Sequence, residues 1–184
     1  MNTYRRTYHL LLSGLLLCTI AFLSSCKSKT TGEVISTDKK KEIDRSAPYV
    51  EGNKRIMQWE NEEMQLFIKR YGWDMQRTGT GMYIQVLNPG QGEQFKEGDE
   101  VTLEYKTFLL DGTLLYTSES EGPKTFTVCR AEEIDGLHEA VQMLRPGAKA
   151  RLVIPSYLAY GVAGDGNKVN GRLSIAMTIE ITNK

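Results

Sequence analysis

Residues 136–155 read GLHEAVQMLRPGAKARLVIP, and two different periods meet in them. Leu137, Ala140, Val141 and Leu144 recur at three- and four-residue steps, which predicts one apolar face of a short helix, with His138, Glu139 and Gln142 turned away into solvent. After Pro146-Gly147 the period falls to two. Ala150, Leu152 and Ile154 alternate with Lys149 and Arg151, the mark of a half-buried strand. One short amphipathic helix beside strands of this kind has an economical solution: an antiparallel sheet curls around the helix and the two bury each other. The expected fold class is therefore α+β with a single core.

The neighbouring stretches support that arrangement. Downstream, Leu173, Ile175, Met177, Ile179 and Ile181 share one face, with Ser174, Ala176, Thr178, Glu180 and Thr182 opposite. Upstream, Val101, Leu103, Tyr105, Thr107 and Leu109 alternate with polar neighbours, and Asp111-Gly112 supplies a hairpin turn. Met82, Ile84 and Val86 form another alternating run, closed by Asn88-Pro89-Gly90. The glycine-rich stretch 161–171 reads as a flexible surface loop.

Toward the N-terminus, Ile56, Trp59, Glu60, Glu63, Met64, Phe67, Ile68 and Tyr71 step by three and four, which predicts an amphipathic helix ending at Gly72. Its expected place is the outside of the domain, dispensable for the domain's folding; the alternative is a dimerisation or partner helix. Residues 27–50 are polar and charged without a sustained apolar period, as in a tether. The first residues carry Arg5 and Arg6, an apolar run from Leu10 to Leu23, and then Leu23-Ser24-Ser25-Cys26. That run is short for a bilayer span, and the whole reads as a signal peptide whose end resembles a bacterial lipobox, with Cys26 acylated. An uncleaved anchor or an ordinary secretory signal are the alternatives. The resulting division is signal peptide 1–25, tether 26–50, helical extension 51–77 and folded domain 78–184. After cleavage Cys129 would be the one free thiol, so the domain rests on its apolar core rather than on an internal disulfide.

Composition excludes several functions. Lys+Arg and Asp+Glu balance at 23 each, so no basic surplus argues for a nucleic-acid partner. His9 and His138 are the only histidines, and no Cys pair stands by to hold zinc, so no metal site is expected. There is no nucleophile elbow and no phosphate-binding loop. In the stretch 161–171, Asp165 and Asn167 begin like a calcium loop, but Val169 stands where an oxygen ligand belongs. A binding module remains, or an enzyme needing no nucleophile, metal or cofactor.

Six short runs then carry a resemblance: Gly98-Asp99-Glu100-Val101 with Tyr105, Leu110-Asp111-Gly112-Thr113, Ile134-Asp135-Gly136-Leu137, Pro146-Gly147-Ala148-Lys149-Ala150, Ile154-Pro155, and Ala159-Tyr160-Gly161. In order and spacing they resemble the FKBP-type peptidyl-prolyl cis/trans isomerases. The stretch from Trp59 through Gly72-Trp73 to Tyr83 is similar to the extension of their bacterial envelope lipoprotein branch, the gliding-motility-associated kind. The resemblance implies an antiparallel sheet half-wrapped around one short helix, preceded by a helical extension. It implies a prolyl isomerase assisting folding in the cell envelope, lipid-anchored at the outer membrane and facing the periplasm, without cofactor or metal, acting on proline-containing polypeptides. A non-catalytic FKBP-like binding module in an envelope complex is the alternative.

By the same resemblance, Tyr105, Ile134 and Tyr160 are the catalytic residues, with the Ile134 N–H and the Tyr160 hydroxyl as donors. Leu115, Tyr116, Phe126, Leu137 and Met177 would bind substrate. The chain departs from the family at four points. Leu115-Tyr116 stands for the usual Phe-Asp, Leu137 for a frequent Trp, and Met177 and Lys124 for frequent aromatics. The implied cup is apolar but less aromatic than is common, which favours weak turnover or binding alone.

Overall fold

The computed structural model describes residues 47–182, so Cys26, the expected signal and most of the expected tether lie outside the described residues. In chain order the elements are α1 (Ala47–Tyr71), β1 (Gln76–Arg77), β2 (Tyr83–Asn88), β3 (Glu100–Leu109), β4 (Leu114–Thr117), α2 (Ser118–Glu121), β5 (Lys124–Thr127), α3 (Asp135–Gln142), β6 (Lys149–Ile154), a 3-10 turn (Ser156–Leu158) and β7 (Ile175–Ile181). The strands form one antiparallel sheet in the order β1-β2-β6-β7-β3-β4, with β5 also paired to β3. The central register sets Leu152 opposite Met177 and Tyr105 opposite Ile179.

The period-two residues do what their spacing predicts, except Val86, which is exposed where β2 nears its end. Ile84, Leu103, Leu152, Ile154, Ile175 and Ile179 pack with Leu137, Ala140 and Val141 of α3 in one core cluster. Full burial of each large aliphatic side chain is worth about 1.5–3 kcal/mol. The hairpin forms at Asp111-Gly112: Gly112 takes φ 98°, and the Asp111 carboxylate accepts the Thr113 N–H at 2.7 Å.

The sheet is not half-buried as expected, because α1 covers part of its other face. Met64 and Phe67 pack there on Tyr83, Val153 and Ala176. Val153 and Ala176 are thus apolar for a reason that strict alternation hides. Trp73 meets Phe67 edge-on with centroids 5.3 Å apart, and the Arg151 guanidinium lies 4.9 Å over the Trp73 ring. Helix α1 begins at Ala47, inside the stretch expected to be tether, and ends where Gly72 predicts. Gly72 adopts φ 62°, its N–H bonds the Lys69 carbonyl and the Trp73 N–H bonds the Ile68 carbonyl, a Schellman stop. The following strand β1 belongs to the sheet, so the extension and the domain share one body of structure.

His138 departs from its expected solvent-facing position. It is buried, its ring is T-shaped against Phe126 at 5.2 Å, and its Nδ1 accepts the Cys129 N–H at 3.2 Å. The turn 127–130, held by Cys129 at φ 63°, closes over that flank of α3. An accepting Nδ1 leaves the imidazole proton on Nε2, which has no partner among the described residues.

Candidate functional site

Ile134 and Tyr160 line one opening, and each carries a donor without a partner among the described residues. Ile134 is the residue before α3, with extended backbone, and its carbonyl accepts the N–H groups of Leu137 and His138 at 3.0 and 3.3 Å. Its own N–H bonds no acceptor among the described residues. Tyr160 follows the 3-10 turn, whose Ser156 carbonyl accepts the N–H groups of Ala159 at 3.0 Å and Gly161 at 2.8 Å. The Tyr160 ring is half-buried against the core and its hydroxyl likewise bonds nothing among the described residues. Burial first, and then the charges of Glu133 and Asp165, push its pKa well above the ordinary tyrosine value. The phenol therefore stays a neutral donor throughout the physiological range.

Ile134 and Tyr160 line a pocket of about 400 Å³ together with Lys124, Ala131, Glu132, Glu133, Asp135 and Ala159. Beneath lie the other predicted residues. Tyr105, Leu115, Phe126, Leu137 and Met177 belong to the main core, and Tyr116, Ile134 and Tyr160 pack against it, so the structure gathers all eight predicted site residues into one cluster. The five core members do not line the opening. Leu137 and Met177, at 0% and 2% exposure, are covered. Tyr105 is not an open donor: its hydroxyl donates to Glu121 Oε2 at 3.3 Å. Burial, then the Glu121 charge, push its pKa up to about 12.

Lys124, at the position of an expected aromatic, pairs with Glu133 and holds its ammonium 5.1 Å from the Tyr105 ring centroid. Tyr116 replaces a carboxylate yet reaches one, for its hydroxyl donates to Asp165. Asp165 Oδ1 also accepts the N–H groups of Asn167 and Val169 at 2.8 Å each. Burial pushes the Asp165 carboxyl up, and these bonds outweigh it and hold the group below its usual value. Lys168 completes the staple, donating to the Leu115 carbonyl at 2.7 Å with its ammonium 4.5 Å over the Tyr116 ring. The expected free loop 161–171 is therefore tied to β4, and Val169, the misfit in a calcium loop, is buried as its apolar anchor.

Glu121, Glu133, Asp165 and Lys168 escaped the sequence reading. Each meets its partner across a distance in sequence, up to 53 residues for Lys168 and Leu115, and no local pattern marks such pairs. A larger concavity of about 910 Å³ lies elsewhere, between the 88–93 turn and Pro146-Gly147; its lining offers only Glu93 as a charged group. The pocket with two unengaged donors is the better candidate site.

The family profile described as FKBP-type peptidyl-prolyl cis-trans isomerase matches residues 91–182. The "Probable FKBP-type peptidyl-prolyl cis-trans isomerase FkpA" of Neisseria meningitidis is 30% identical over 141 residues, covering 75% of this chain and 51% of that protein. The "Peptidyl-prolyl cis-trans isomerase Mip" of Coxiella burnetii is 38% identical over 85 residues, covering 46% of this chain and 36% of that protein. The chain thus spans about half the length, or less, of these curated relatives. The crystal structure of FkpA from Escherichia coli superposes with a TM-score of 0.60 at 29% identity, covering 75% of this chain and 63% of that one. A peptidyl-prolyl cis-trans isomerase structure from Pseudomonas syringae gives 0.59 at 28% identity, covering 71% and 93% respectively. The match over residues 91–182, half of the chain, shows that it belongs to the FKBP-type peptidyl-prolyl cis-trans isomerase family.

Proposed function

We propose that the protein is a peptidyl-prolyl cis/trans isomerase that assists protein folding in the cell envelope. The observation that carries the reading is the pairing of two unengaged donors, the Ile134 N–H and the Tyr160 hydroxyl, at one pocket above an apolar core. Rotation about a prolyl bond must break amide resonance, against a barrier of about 18–20 kcal/mol. The twisted amide carries less charge separation than the planar one, so an apolar, water-poor surround favours it over the ground state. Donors fixed in advance hold the flanking carbonyls while the bond turns. Ile134, Ala159 and the Tyr160 ring would supply apolar contact at the opening, backed by the core that holds Tyr105, Leu115, Phe126, Leu137 and Met177, with Tyr116 packed against it. No covalent step and no cofactor enters this chemistry.

A protease-free isomerisation assay on prolyl peptides with the full chain in detergent tests it. Wild type should accelerate exchange, and Tyr160→Phe should lower the rate about two- to tenfold, the worth of one neutral hydrogen bond. A second reading, a binding module without turnover, draws on the covered floor at Leu137 and Met177. It gains if wild type binds a proline peptide yet leaves its exchange at the uncatalysed rate.

The envelope part of the proposal is a lipoprotein of the gliding-motility-associated branch, acylated at Cys26 and held at the outer membrane on its periplasmic side. Leu23-Ser24-Ser25-Cys26 after a short apolar run supports it. A relative named "Outer membrane protein MIP", from Legionella longbeachae, is 30% identical over 103 residues. In this reading residues 1–25 are the signal, 26–50 mostly tether, 51–77 the extension and 78–184 the domain. Cys26→Ser should release the protein from membranes or block its processing; unchanged fractionation and migration would refute the anchor.

A further inference from the structure

Helix α1 lies outside residues 91–182, which carry the family match, yet it reaches the segment that presents Tyr160. Glu60 of α1 is 3% exposed. Its Oε1 accepts the Ser156 hydroxyl at 2.6 Å, and its Oε2 accepts the Ser156 N–H at 3.2 Å. A carboxylate buried this far is costly unless donors meet its oxygens, so Ser156 and Glu60 fix each other's position.

Ser156 is the root of the Tyr160 turn. It too is buried, and its carbonyl accepts the N–H groups of Ala159 and Gly161, the residues on either side of Tyr160. Next along the chain, the Tyr157 hydroxyl donates to the Thr80 carbonyl at 2.6 Å. The turn is therefore pinned at Ser156 and Tyr157 by parts of the molecule outside the family match. From there the bonds of Ser156 run directly to the backbone on both sides of the unengaged Tyr160 hydroxyl.

We propose that Glu60 is a positioning residue for Tyr160. Acting through Ser156, it sets the direction from which the Tyr160 hydroxyl meets a bound carbonyl, and α1 is thereby part of the isomerase site. The inference rests on the reading of Tyr160 as a donor in an isomerase. Donor geometry matters most in the transition state, so displacing the turn lowers kcat more than it raises KM.

The test is a double-mutant cycle on the full chain, measuring kcat and KM for a prolyl peptide. Glu60→Leu removes both acceptors, and Glu60→Gln keeps one oxygen and sets an amide against the other donor. We expect Glu60→Leu to lower kcat about three- to tenfold at nearly constant KM, Glu60→Gln to fall between, and both to cost less than about twofold in a Tyr160→Phe background. If Glu60→Leu does not fold, Ser156→Ala carries the same cycle, since it deletes the hydroxyl bond and keeps the N–H bond. Equal effects in both backgrounds, or a lower melting temperature with kcat unchanged, would overturn the proposal and leave Glu60 a structural residue. An inactive wild type would overturn the isomerase reading and this inference with it, whereas an active wild type with additive mutants overturns this inference alone.

Discussion

Phe67→Ala asks whether α1 and the sheet unfold as one. Phe67 is 3% exposed and packs with Met64, Tyr83, Val153 and Ala176. Its ring also meets Tyr71 at 4.7 Å and Trp73 at 5.3 Å. Deleting a buried Phe ring costs about 3–5 kcal/mol, ring pairs included. This layer is the smaller of the two, so the low end, about 3 kcal/mol, is expected. Against a total stability of about 5–15 kcal/mol, that is a large share which still leaves a folded protein. In heat it corresponds to roughly 10–15 °C of melting temperature for a body of this size. Urea unfolding followed by far-UV circular dichroism and by tryptophan fluorescence measures it, since Trp73 lies in this layer. A lower midpoint with coincident curves and an unchanged slope is the expected result. A loss below about 1 kcal/mol, or fluorescence that moves before the dichroism, would refute the claim that α1 is integral.

Three further outcomes follow from the site. Leu137→Trp, which the sequence suggests as a way to restore an aromatic floor, should instead destabilise the fold by about 1–3 kcal/mol, because Leu137 is fully enclosed and has no adjoining space; unchanged stability in a denaturant titration would contradict this. Tyr116→Phe should raise the Asp165 pKa toward its usual value and speed amide exchange at Asn167 and Val169, both read by NMR, because the phenol supplies one of the bonds that hold the loop; unaltered exchange would show that the staple lies elsewhere. Alkali should destabilise the protein: the Tyr105 phenol is pushed up to about 12 by burial and then by Glu121, while the unfolded chain titrates near ~10. The stabilising effect is complete below ~10 and is lost as pH rises from there through ~12, since the unfolded chain sheds a proton that the folded chain keeps. Melting temperatures should fall over that window, less so in Tyr105→Phe; a rise with pH would contradict the assignment.

Local sequence revealed the strands and α3, because a face repeated every two or every three to four residues is a local property. Tyr83, Val153 and Ala176 were invisible in that reading. Each sits between two core residues along the chain, and α1 makes its side of the sheet an interior. His138 was misplaced because a helical wheel knows nothing of the turn 127–130 that closes over it. Ile134 and Tyr160 were legible only through the family resemblance carried by Ile134-Asp135-Gly136-Leu137 and Ala159-Tyr160-Gly161, not through any local period. The site was illegible where it rests on charge. Lys124 with Glu133, Tyr105 with Glu121 and Tyr116 with Asp165 are tertiary pairs, and the last joins residues 49 apart.

The shortness of β1, β4 and β5 has a consequence for life at high concentration. A sheet grows by recruiting a strand onto an open margin, and this one offers little margin to recruit on. On one side the outer strand β1 has 2 residues, and the uncovered part of β2 runs through a register break after Val86 into Pro89. On the other side β3 is shared end to end by two short strands, β5 along 100–103 and β4 along 106–108. Fragmented margins of this kind disfavour edge-to-edge aggregation. In the proposed role, such margins would let the protein hold an unfolded chain without being drawn into a shared sheet.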